Sequence, residues 1–129
     1  MKKVRAQDGF TLLEVMIAML VLSIGILGLA PLIGFAIYGN TMASDMTGAN
    51  ALAQQEIEAL VNQASYANMP YISTTDSVDN LFNVYRYVED NSVNGILPSG
   101  IFKISVTVSW IDQQNQNRSI YYSTMKPKL

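Results

Sequence analysis

Glu14 is the only charged side chain between Phe10 and Ile37, and the next charge along the chain is Asp45. An ionised carboxylate inside an apolar stretch costs several kcal/mol to bury, and such residues are usually retained for a function. General acid–base work or metal binding would require converging partners, and the chain supplies few. It contains no histidine and no cysteine. The commonest general base, the commonest zinc ligand and the thiolate nucleophile are therefore all missing. Asp76 with Asp79, and Glu89 with Asp90, form acidic pairs in or beside turn-rich sequence. Without histidine, an EF-hand loop or a glycine-rich phosphate cradle, these read as solvated turn residues. Asn117-Arg118-Ser119 fits a glycosylation sequon, a match that arises often by chance. The sequence thus offers no catalytic residue, no metal site and no cofactor site, and not an enzyme. Its chemistry is that of Glu14 and what surrounds it.

The surroundings are those of a membrane helix. Phe10 to Ile37 is apolar apart from Thr11, Glu14 and Ser23. About 20 apolar residues rising ~1.5 Å each cross a bilayer core, so this run is long enough. Lys2, Lys3 and Arg5 flank its N-terminal side, which places the N-terminus in the cytoplasm and residues 38–129 outside. The first nine residues carry three cations and Asp8, or +2; with a total of −2, the rest of the chain carries −4. No basic stripe remains to neutralise phosphates, so nucleic acid is not a partner. A secretory signal has a shorter apolar core followed by a small-residue cleavage site. Here the small residue, Gly9, comes before the apolar run. Cleavage after it would remove the basic leader, keep the helix and make Phe10 the new N-terminus. Glu14 would then lie four residues on, on the same helical face. In a plain anchor, by contrast, Glu14 would simply snorkel to the headgroups.

"GFTLLEVMIAML", preceded by a short Lys-rich leader, resembles the class III signal of type IV prepilins and pseudopilins. The resemblance covers about 30 residues. It implies that a membrane-embedded prepilin peptidase cuts between Gly9 and Phe10 and methylates the amine of Phe10. It also implies that Glu14 meets the N-terminal amine of a neighbouring subunit. Assembly would then neutralise a charge left unpaired in the isolated chain, making Glu14 a register device. Pro31 falls on a proline often found in the family. In its assembled pili the segment matching Ser23–Pro31 can lose helical structure. Composition agrees, since glycine costs about 1 kcal/mol and proline about 3 inside a helix. Gly25, Gly28 and Pro31 are therefore expected to form a soft segment. "EVMIAMLVLSIGILGLA" looks most like minor pilins of the PilV type, the type IV pilus modification proteins. The lack of cysteine departs from many major pilins, whose C-terminal loop a disulfide closes. The implied partners are other pilins, the prepilin peptidase, an inner-membrane assembly platform and the lipid bilayer. The implied location is the bacterial inner membrane, with incorporation into an extracellular pilus. A minor pseudopilin of type II secretion is the alternative within the family. A single-pass, membrane-anchored binding module is the alternative outside it.

Roughly 65 residues beyond the helical elements must build the globular part, a marginal size unless it packs on something. Met42, Met46, Ala49, Ala53, Ile57, Leu60 and Ala64 recur at three- and four-residue steps, one face of a continuing helix. "SYANMPYISTTDSVDN" reads as loop, and Phe82–Glu89 has strand composition. Ile101 to Ile111 alternates strictly, with Phe102, Ile104, Val106, Val108 and Trp110 on the face turned toward the helix. "DQQNQN" turns the chain into a last strand, "RSIYYSTM". For Tyr85, Tyr87, Tyr121 and Tyr122, cross-strand packing is a more economical account than an exposed aromatic patch. The expected fold is α+β and pilin-like: a long helix on a three-stranded antiparallel sheet. Its parts are a cleaved leader (1–9), a hydrophobic transmembrane helix (10–37), an amphipathic continuation (38–66), and loop plus sheet (67–129).

Overall fold

The computed structural model describes residues 9–66 and 68–128. A 51-residue helix, α1 (Leu12–Asn62), is followed by four strands: β1 (Tyr71–Val78), β2 (Phe82–Asp90), β3 (Ile101–Ile111) and β4 (Asn117–Pro127). The strands form one antiparallel sheet in the order β1-β2-β3-β4, a simple meander. By its internal contacts the chain divides into one unit ending at Asn40 and another beginning at Thr41.

The sheet has four strands where the sequence suggested three. The added strand, β1, comes from the stretch whose composition reads as loop. Its residues on the helix side, Tyr71, Ser73 and Thr75, pair with Val88, Arg86 and Val84. Only one of these three positions is apolar, so no apolar alternation marks the strand. Its pairing also shifts between Thr75 and Val78, and such irregularity is common at sheet edges. A tight turn links it to β2 through Asp79 and Asn80, whose φ values are +51° and +57°. Asp and Asn are the non-glycine types that tolerate this left-handed region.

In the second unit the predicted faces meet. Ala49, Ala53 and Leu60 of α1 are buried with Val84, Val88, Ile104, Val106, Val108 and Trp110 of the sheet. Small residues on the helix let the sheet approach closely. A Cβ on Gly48 would stand 3.3 Å from the Phe82 ring, which itself packs edge-on to Trp110. Burying these side chains is the main stabilising term, about 1.5–3 kcal/mol for each large aliphatic. Met46, predicted on the buried stripe, stays 40% exposed, because the core begins one turn later at Ala49. The helix stops at Asn62 rather than 66, so Ala64 lies beyond it and is exposed. Carbonyls at and just beyond its end are met by side chains: Tyr66 Oη donates to the Leu60 oxygen and Lys126 Nζ to the Gln63 oxygen, both at 2.6 Å.

Among the described residues four ion pairs tie this unit together. Arg86, on the helix side of β2, donates through Nε to Glu56 of α1 at 2.7 Å and also reaches Thr75. Its guanidinium pKa is raised, first by that hydrogen bond to Glu56. Asp112 opens the β3–β4 turn, accepts the amides of Gln114 and Gln116, and binds Arg118 at 2.9 Å. Asp90 pairs with Lys128. Glu89 and Asp90 are consequently not solvated turn residues. They end β2, are buried to 8% and 6% exposure, and face Lys103 and Lys128. The lysines come from neighbouring chain segments, which local sequence cannot indicate. Asp79 is exposed in its turn, whereas the side chain of Asp76 lies outside the described residues.

Candidate functional site

The first unit is the N-terminal stretch in which the sequence concentrated its chemistry. Gly9, Phe10 and Thr11 are not helical, and α1 starts at Leu12. Thr11 caps it: the Glu14 amide donates to Thr11 Oγ1 at 3.3 Å, and the Glu14 and Val15 amides donate to the Thr11 carbonyl. Glu14 therefore occupies the third helical position, in the first turn. Thr-x-x-Glu before an apolar run is the local sequence signature of this helix start. A carboxylate in the first turn is also favoured by the positive end of the helix dipole, typically by 0.3–1 kcal/mol. The placement of Glu14 thus has a local reason as well as any reason of assembly.

Phe10 and Glu14 share one side of the helix start. Together with Val15, Ala18, Met19 and Leu22 they line a shallow, almost wholly apolar depression. Along residues 10–37 the large apolar side chains are exposed, from 44% at Val15 to 83% at Phe10. The most apolar 18-residue window of α1 has a mean hydropathy of 2.5 and no buried residue. This is an apolar surface on every side of the helix, as a bilayer or other apolar helices would require.

The helix is continuous through Gly25, Gly28 and Pro31. At both glycines a Cβ would meet nothing within 4 Å. Pro31 has no amide to offer the carbonyl one turn back. Ser23 directs its hydroxyl to the Met19 carbonyl at 2.8 Å, a bond that often bends helices. The leader cations Lys2, Lys3 and Arg5 lie outside the described residues. Among the described residues no cluster of metal-ligating side chains is present.

A family model described as "Prokaryotic N-terminal methylation motif" matches residues 4–30. The match supports a type IV pilin-like protein. It takes in Gly9, Phe10, Glu14, Gly25 and Gly28 and ends one residue before Pro31. Proteins carrying such a motif are typically structural rather than catalytic, and the motif points to assembly with other pilins and to a prepilin peptidase. With the exposed apolar helix behind it, it fits a membrane-anchored pilin. No curated protein and no solved structure matches the chain.

Proposed function

We propose that the chain is a minor pilin that helps initiate or stabilise a type IV pilus from the bacterial inner membrane. The observation that carries this reading is the helix start itself. A helix apolar on all sides begins just after a non-helical Gly9-Phe10 pair and holds one carboxylate in its first turn. In this reading the leader, residues 1–9, faces the cytoplasm and the peptidase cuts the Gly9–Phe10 bond. That bond precedes the first helical residue, where an extended backbone can enter a protease cleft. Phe10 is then N-methylated and keeps a positive charge. Residues 10–37 span the membrane, and residues 38–129 lie on the far side.

Glu14 supplies the assembly chemistry. In hydrocarbon an unpaired carboxylate is costly, by about 2.5–3.5 kcal/mol for a charged residue at a helix centre on insertion scales. The ammonium of an adjacent subunit's Phe10 would remove that penalty and fix the axial register between the two helices. Gly25, Gly28 and Pro31 give the same helix a weak stretch that can unwind as neighbours crowd it. The lack of cysteine favours a minor over a major subunit, as does the likeness of residues 14–30 to PilV-type proteins. The deciding experiment is mass spectrometry of the N-terminus of protein purified from its native membrane. A chain starting at N-methylated Phe10 is expected. An intact N-terminus would mean a tethered ectodomain instead.

A further inference from the structure

The outer face of the sheet, turned away from α1, is not uniformly polar. Register places Tyr85 of β2, Thr107 of β3 and Tyr121 of β4 in one row across the strands. Tyr87, Ser105 and Ser123 form the next row, and Glu89, Lys103 and Met125 the one after. Tall rings on β2 and β4 therefore flank short hydroxyl side chains on β3, and a trough of about 330 Å³ runs along the central strand. That size is at the lower end of known ligand clefts, roughly 300–1,000 Å³. Tyr85 and Tyr87 stand nearly parallel, with centroids 6.4 Å apart. Tyr85 and Tyr121 remain 41% and 59% exposed, so cross-strand packing leaves much of both rings free. Tyr122, by contrast, points to the other side and bonds Asn50 of α1 at 3.0 Å.

The chemistry of the trough selects among ligands. Its two charges, Glu89 and Lys103, are paired at 3.1 Å, so it presents no net charge to an ionic ligand. The bond to Glu89 also raises the pKa of Lys103. Its floor is a central strand hydrogen-bonded on both sides, so the backbone offers little to an extended peptide. What remains are the aromatic faces and hydroxyls of Tyr85, Tyr87 and Tyr121 and the hydroxyl of Thr107, above a buried Ser105. Ser105 and Tyr121 already bond each other at 3.0 Å, which sets the tilt of the Tyr121 ring. Flat apolar surfaces alternating with hydroxyl donors and acceptors match a sugar ring, with its C–H faces and hydroxyl rim. A wholly apolar partner would strip water from the Thr107 hydroxyl and from the exposed Tyr85 hydroxyl without replacing it.

We propose that this trough binds an uncharged saccharide, stacked on the tyrosines and lying along β3. The proposal is independent of how the N-terminal helix assembles. It is tested by saturation-transfer NMR on the full chain in dodecylphosphocholine micelles, which carry no sugar. The probes are maltose, cellobiose, lactose and chitobiose. At least one is expected to receive saturation, with the signal lost at least tenfold in Tyr85→Ala/Tyr121→Ala. Tyr121→Phe, which removes only the hydroxyl, should weaken it less. Unchanged Trp110 fluorescence and circular dichroism in the variants exclude a folding defect as the cause. No transfer to any of the four disaccharides overturns the proposal, as does transfer that survives the double substitution. Tyrosine-dependent dimerisation in analytical ultracentrifugation, without saccharide transfer, would assign the face to a second copy and equally overturn it.

Discussion

The two halves of α1 are built from the same element and treat their apolar residues in opposite ways. Before Asn40 the large apolar residues are spread around the helix and are exposed. After Thr41 only one face is apolar, made of small residues and a few aliphatics, and it is buried under the sheet. The first half must find its apolar partner outside the chain, in lipid or other helices. The second half finds it within. Stability should therefore reside in the second half and assembly in the first, and substitutions should separate the two.

The largest separation is expected at Glu14. Glu14→Ala should reduce incorporation into filaments more than tenfold, while membrane insertion and cleavage after Gly9 stay close to wild type. Immunoblots of sheared pili against membrane fractions would read this, and normal incorporation would refute the neutralisation role. In the core, Ile104→Ala should lower stability by about 2–5 kcal/mol, the usual range for such truncations. Leu20→Ala, at a position 61% exposed, should leave the stability of the second unit unchanged. Denaturant titration followed by Trp110 fluorescence compares the pair. Equal effects would abolish the contrast between the halves.

Smaller effects sharpen the picture of the second half. Arg86→Ala leaves Glu56 half-buried without its bidentate partner and should destabilise by about 1–3 kcal/mol. The double variant Arg86→Ala/Glu56→Ala should recover part of that loss, a coupling that a double-mutant cycle measures. The smallest effect concerns acid. The ammonium of Lys128, followed by the hydroxyl of Ser92, lowers the Asp90 pKa from 3.8 to about 2. A carboxylate depressed on folding adds stability that is fully present above its unfolded value. That contribution is lost as pH falls from near 4 through about 2. Asp90→Asn should flatten the stability profile in this window and leave the profile above pH 5 unchanged in shape.

Where the sequence was legible, one physical period dominated. β3 alternates without a break because one of its faces lies on α1, and Ile104, Val106, Val108 and Trp110 are buried as that pattern requires. β1 leaves no such trace because Ser73 and Thr75 on its helix side are polar, and only Tyr71 and Val78 at its two ends pack against the core. The Thr11 cap is legible in Thr-x-x-Glu, because capping uses residues three apart in the chain. Glu89 and Asp90 were misread because their lysines lie 14 and 38 residues away in sequence. The tyrosine trough depends on strand register, which composition does not set.

By itself the sequence determined the segment that needs an outside partner. Hydrophobic run length, flanking charge and the position of Glu14 are local quantities, and the bilayer reads them locally. Only the tertiary structure decided which charges are paired, how many strands the sheet has and which tyrosines face outward. Each of these rests on contacts between residues far apart in the chain, and no local rule fixes such contacts.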